Sequence, residues 1–129
     1  MAGPAERLRD EIVIWLTTVN PAGTPVPTPV WFWYAADEVI LFSQPGTAKL
    51  RNLRGNPRAT LNLNTNSMGG DIVVLSGTVE FADATADELA AYDEKYAEHI
   101  ERLGMTPDGF HASYSVPLRF RVRKARGVS

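Results

Sequence analysis

Apolar and polar positions alternate along most of this chain, the period of half-buried β-strands, and give way to a spacing of three or four in one late stretch. Pro4–Asp10 reads as a short amphipathic helix opening on proline, which a first helical turn accepts. Ile12–Val19 is rich in β-branched residues and stops at the turn Asn20-Pro21-Ala22-Gly23. The extended pattern resumes over Pro25–Tyr34, with prolines at 25, 27 and 29. Alternate prolines put all three missing N–H donors on one lateral side. This segment is therefore expected at a sheet edge, at a bulge, or with its backbone open to another group. Val39–Ser43 is the returning strand after a turn at Asp37-Glu38. Thr47 is placed to cap a two-turn helix that runs to Arg54 and ends at Gly55-Asn56-Pro57. Arg58–Asn64 and Asp71–Phe81 follow as strands, and Gly77 predicts a bulge or sharp bend in the second.

Thr85-Ala86-Asp87-Glu88 has the form of a capping box. It opens a helix whose apolar positions are Leu89, Tyr92, Tyr96, Ile100 and Leu103. A short helix is expected over Pro107–Tyr114. The last strand, Val116–Ala125, alternates Leu118, Phe120 and Val122 with Arg119, Arg121 and Arg123. Six strands with hairpin-length connections and one substantial helix predict a mainly β, six-stranded antiparallel barrel. Trp31-Phe32-Trp33-Tyr34 would make both faces of its strand apolar. One face is assigned to the core and the other to a ligand or a second subunit.

The length of 129 residues, without a repeat or linker, predicts a single domain over 1–129. A domain this small buries a modest fraction of its surface, so dimerisation would help it. The 13 basic and 15 acidic residues give a net charge of −2, which argues against nucleic acid or an anionic membrane as partner. No cysteine is present, which excludes disulfides, thiolate metal sites and thiol nucleophiles. With only His99 and His111 and no zinc motif, no metal site is expected. No apolar run approaches the ~20 residues of a membrane span. The N-terminal stretch lacks a signal-peptide core and carries Glu6, Asp10 and Glu11, so the expected location is cytoplasmic.

Chemistry concentrates in Gly46-Thr47-Ala48-Lys49-Leu50-Arg51-Asn52-Leu53-Arg54. A glycine turn feeds a helix whose first turn offers free N–H groups and a positive dipole end, a ready anion site. Lys49 stands in that turn, where a cation is disfavoured unless an anion is present. Lys49, Arg51, Arg54 and Arg58 bring four positive charges with no acid among them. An ordinary solvated helix face is the competing reading. The cations of the last strand read as a solvated stripe balanced by the acidic late helix, and Asp93 as a solvated carboxylate. No phosphate-binding loop, dinucleotide fingerprint or serine nucleophile elbow occurs, so catalytic residues stay unassigned.

Taken in order, the segments L-T-T-V-N-P-A-G-T-P-V-P-T-P-V-W-F, S-Q-P-G-T-A-K-L-R-N-L-R-G-N-P-R and R-A-T-L-N-L-N resemble the split-barrel flavin-binding proteins related to pyridoxamine 5′-phosphate oxidase. The chain looks most like the short actinobacterial branch that uses the deazaflavin coenzyme F420. The resemblance implies a homodimeric split barrel with two cofactors at its interface. It implies a phosphate site at Gly46, Thr47, Ala48 and Lys49, supported by Asn52. Ala48 stands where many relatives have arginine, and Arg51 or Arg54 is the expected substitute. The backbone of Thr28, Pro29, Val30 and Trp31, with Ser43 facing it, would lie along the cofactor ring. The C-terminal Arg-x-His signature of true pyridoxamine phosphate oxidases is missing. The implied activity is hydride transfer from reduced coenzyme F420 to a small conjugated acceptor such as a quinone, a biliverdin-like tetrapyrrole or an enone. Tyr114 or solvent would supply a proton. An FMN-dependent oxidoreductase and a non-catalytic flavin or haem carrier are the alternatives.

Overall fold

The computed structural model describes residues 3–127. The elements are α1 (Pro4–Asp10), β1 (Ile14–Val19), β2 (Pro25–Val30), β3 (Trp33–Ala35), β4 (Glu38–Ser43), α2 (Ala48–Gly55), β5 (Arg58–Asn62), β6 (Val74–Phe81), α3 (Ala86–Arg102), α4 (Pro107–Ser113) and β7 (Val116–Arg126). The strands form one antiparallel sheet in the order β2-β1-β5-β6-β7-β4-β3. Among the described residues there are seven strands rather than six, because the expected Pro25–Tyr34 strand is two. Its halves, β2 and β3, are the two edges of the sheet, yet only Trp31 and Phe32 separate them in sequence. So short a link forces the sheet to curl until its edges meet, and the two residues that cross the seam leave the ladder. That is a split barrel.

The prolines explain why β2 is an edge. Pro25, Pro27 and Pro29 are exposed and stand opposite Val19, Thr17 and Trp15. Only Val26, Thr28 and Val30 have donors to give the ladder with β1, and a further strand would find none on the other side. Gly77 sits at the expected irregularity. Ser76 pairs with Lys124 and Gly77 with Val122, so Arg123 is the extra residue of a bulge. A Cβ at Gly77 would run into the backbone carbonyl of Arg121, so only glycine lets the strands approach this closely.

The main core fills the curl with the alternating residues Ile14, Leu16, Leu61, Leu75, Leu118 and Phe120, closed at one end by Leu50 and Leu53 of α2. A second cluster joins Tyr92, Tyr96 and Ile100 of α3 to Phe110 of α4. The aromatic run divides between them as alternation requires: Phe32 and Tyr34 pack on the first, Trp31 and Trp33 on the second. The second face is thus partly covered from within the chain, by α3 and α4. Trp31 is stacked between Tyr96 (4.5 Å, 4°) and Phe110 (5.4 Å, 10°), and Phe110 stacks on Tyr114 at 4.6 Å.

Crossing the seam strips Phe32 of strand partners, and α3 replaces them. The Tyr96 hydroxyl accepts from the Phe32 N–H at 2.8 Å and donates to the Ile12 carbonyl at 2.7 Å. Lys95 Nζ donates to the Phe32 carbonyl at 3.0 Å. The α3 capping box forms as expected between Thr85 and Glu88.

The stripe on β7 is not uniformly solvated. Arg119, 9% exposed, bonds Glu38, Glu88 and the Asp83 carbonyl, while Arg121 bonds Glu38 and Glu80. Arg123, Lys124 and Arg126 are exposed.

Candidate functional site

The turn Gln44-Pro45-Gly46 ends β4, and Gly46 takes a left-handed φ of 74° that a side chain would resist. Thr47 holds the N-cap position of α2 with extended backbone. Its hydroxyl, however, bonds no helix N–H and lies 3.4 Å from Ser43 Oγ. No acidic residue occupies the first turn. The opening N–H groups of α2 therefore lack a side-chain acceptor. Lys49, half-buried in that turn, has its pKa lowered by desolvation, and no carboxylate among the described residues offsets it. Arg51 folds back and donates Nη1–H to the Gly46 carbonyl at 2.9 Å. Free donors and the positive helix end lie at the glycine turn, with Arg51 bonded to it and Lys49 in the same helical turn, an arrangement that can receive an anion such as a phosphate.

The other candidates fall into two groups. Asn52, 7% exposed, donates Nδ2–H to Thr18 Oγ1 at 3.1 Å, and Thr18 stands opposite Val26. Asn52 thus ties α2 to β1 beside the edge strand, which is a positioning role. Ser43 is buried and donates to the Gln44 carbonyl at 2.8 Å, fixing the turn's entry. Ala48 is exposed at the first position of α2. Thr28, Pro29 and Val30 lie on the sheet edge, and Trp31 follows them with its ring already stacked, which leaves its backbone as the part open to a ligand. The Arg54 guanidinium sits over Phe81 at 4.5 Å, away from Ala48, whereas Arg51 is bonded to the glycine turn.

Three features escaped the sequence pattern. A groove of about 590 Å³ on the outer face of the sheet is lined by Thr17, Val19, Pro25, Thr60, Gly77 and Thr78, with Arg58 and Arg123 but no acid. Its residues come from distant segments that only the folded sheet brings together. Asp93 is not merely solvated: its Oδ1 lies 2.6 Å from His111 Nε2, joining α3 to α4. Among the described residues His111 Nδ1 is buried without a partner, and the ring lines a cavity of about 330 Å³ with Tyr114, Phe42 and Leu89. Lys95, at the seam, is the third. Among the described residues no group of three or more His, Asp or Glu side chains is arranged to hold a metal, and no helix is long and apolar enough to cross a membrane.

Several solved structures share this fold. An F420 reductase is 21% identical and superposes with a TM-score of 0.69, covering 98% of each chain. An FAD-binding protein from Mesorhizobium loti is 19% identical (TM-score 0.67, 94% of this chain and 86% of that one). HutZ, the haem storage protein of Vibrio cholerae, is 14% identical (TM-score 0.68, 93% and 88%). No curated protein matches the sequence. The family described as pyridoxamine 5′-phosphate oxidase matches residues 5–129, nearly the whole chain. With the curled antiparallel sheet, the seam at Trp31-Phe32 and the anion-ready start of α2 in place, this chain belongs to the pyridoxamine 5′-phosphate oxidase family of split barrels.

Proposed function

We propose that this chain is a cytoplasmic, homodimeric oxidoreductase that binds reduced coenzyme F420 and passes its hydride to a small conjugated acceptor. The observation that carries the reading is the uncompensated Lys49 at the start of α2, beside Arg51 and the Gly46 turn. A cation desolvated without a counter-ion is a site preorganised for an anion, and the cofactor's phosphate is the anion the family resemblance supplies. The cofactor brings the electrons, so the protein's task is to hold, orient and exclude water.

The residues divide that task. Lys49, Arg51 and the first N–H groups of α2 hold the phosphate. Asn52, through Thr18, keeps α2 against β1 so that the phosphate pocket and the open edge of Thr28–Val30 stay in register. The stacked Trp31 ring stiffens the backbone that would lie along the flat ring system. Arg58 and Arg123, in an acid-free groove, suit the glutamate tail that distinguishes coenzyme F420 from FMN. Tyr114 ends the aromatic stack and lines the neighbouring cavity with His111, which suits a flat acceptor and a proton source.

Parallel titration of the protein with coenzyme F420 and FMN, at low and high salt, tests the assignment. Lys49→Ala is expected to weaken both by roughly 10–100-fold, the loss of one charge-assisted contact of ~1.5–3 kcal/mol. Arg58→Ala weakens only the long-tailed cofactor, by roughly two- to fivefold, because exposed charge pairs are worth ~0.2–1 kcal/mol and are screened by salt. Arg54→Ala changes neither. Sedimentation followed at the cofactor's absorbance gives two cofactors on a particle of two chains. Tighter, salt-independent FMN binding would transfer the reading to the FMN alternative.

A further inference from the structure

Lys95 plays no part in the anion site. From α3 it reaches the seam, where Nζ lies 3.0 Å from the Phe32 carbonyl oxygen and 3.7 Å from the Phe32 ring centroid. It also lines a cavity of about 370 Å³ whose other walls are Trp33, Ala91, Glu94, Arg9 and Asp10. The neighbouring acids are engaged elsewhere. Arg9 holds Asp10 through two bonds of 2.7 and 2.8 Å, and Arg7 holds Glu11 at 2.6 Å. Glu94 lines the same cavity but makes no bond to Lys95. Burial pulls the amine down to about 8, against the opposing pull of Asp10 and Glu11. The adjoining Tyr96 phenol is pushed up by burial and stays neutral, so it gives Lys95 no counter-charge. At pH 7 roughly a tenth of Lys95 is therefore the free amine, far more than of an ordinary exposed lysine.

We infer that Lys95 is a carbonyl-capture site, whose ε-amine forms a reversible imine with a small aromatic aldehyde lodged against Trp33. The nitrogen lone pair attacks the carbonyl carbon, the carbonyl π pair moves to oxygen, and a proton passes from nitrogen to that oxygen. The resulting carbinolamine loses water as the C=N bond forms. Amine and aldehyde give imine and water, with no change of oxidation state. The protonated imine keeps one N–H, enough to retain the bond to the Phe32 carbonyl, so capture does not open the seam.

The chain has three lysines, at 49, 95 and 124, which makes the test compact. The full chain is incubated with benzaldehyde and sodium cyanoborohydride at pH 7 and pH 10, with and without inorganic phosphate, and the adducts are mapped. Lys95 is expected to carry at least about tenfold more adduct than the exposed Lys124 at pH 7, a preference that narrows at pH 10. Phosphate should protect Lys49 and leave Lys95 unchanged, so failure here is distinguishable from failure of the anion site. Trp33→Ala should reduce the Lys95 adduct with benzaldehyde but not with acetaldehyde. Equal labelling of Lys95 and Lys124 at pH 7 overturns the inference, as does a benzaldehyde adduct that Trp33→Ala leaves untouched.

Discussion

Tyr96→Phe is expected to destabilise the fold by about 2–4 kcal/mol, although it removes a single oxygen. That oxygen serves two backbone groups at once, the Phe32 N–H at 2.8 Å and the Ile12 carbonyl at 2.7 Å. Tyr96 and Phe32 are fully buried, so water cannot take over the Phe32 bond, and the Ile12 carbonyl is half-buried. Each buried orphan costs ~1–3 kcal/mol, more than the net worth of the bond itself. Tyr92→Phe is the control. It lies one turn earlier on α3 and is equally buried, but its hydroxyl holds no backbone pair among the described residues. Urea unfolding of both variants decides the point, with only Tyr96→Phe showing the large fall in midpoint. A Tyr96→Phe loss no greater than that of Tyr92→Phe would mean that α3 does not secure the seam.

Arg119→Met is the second large effect, a loss of about 2–4 kcal/mol. Arg119 joins three elements: Nη1 bonds Glu38 of β4 at 2.6 Å, and Nη2 bonds Glu88 of α3 at 2.7 Å and the Asp83 carbonyl at 3.2 Å. Methionine fills much of the volume but leaves the half-buried Glu88 without its arginine and Glu38 with Arg121 alone, and breaking a desolvated pair on one side costs more than the pair was worth. The pH dependence carries the same signature. The Arg119 guanidinium, against some desolvation, holds Glu88 down to about 2 from an ordinary 4.5. A depressed carboxylate contributes fully above about pH 4.5 and loses its contribution as the pH falls toward 2. The native protein should lose stability across that window, and Arg119→Met should show a flatter acid limb. Arg121→Met is expected to cost less, because that side chain is half exposed.

These two effects also mark where sequence legibility ends. Features set by neighbouring residues were readable: the edge placement of the proline strand, the bulge at Gly77, the capping box at Thr85, and Thr47 at the start of α2. Features set by closure of the sheet were not. The break at Trp31-Phe32 is unmarked by glycine or proline, because it arises only when β2 and β3 become opposite edges. Its consequence, the capture of both aromatic faces within one chain, depends on α3 and α4, more than fifty residues later. Arg119, Arg121 and Arg123 share one periodicity, but their fates differ because Glu38 and Glu88 reach only the first part of the stripe. The glycine turn and helix start at Gly46–Lys49 were legible locally, whereas the contacts of Arg54 with Phe81 and of Asn52 with Thr18 required the folded neighbours.

The central claim, that the site holds a deazaflavin for hydride transfer, is tested most directly by turnover. Reduced coenzyme F420 is mixed with a quinone such as menadione, and the return of the oxidised cofactor's absorbance is followed with and without protein. The account predicts acceleration that saturates with cofactor, with Lys49→Ala raising the concentration needed for half-saturation by roughly 10–100-fold, in line with the lost phosphate contact. Binding of the reduced cofactor without acceleration by any quinone, tetrapyrrole or enone would contradict it and leave a carrier.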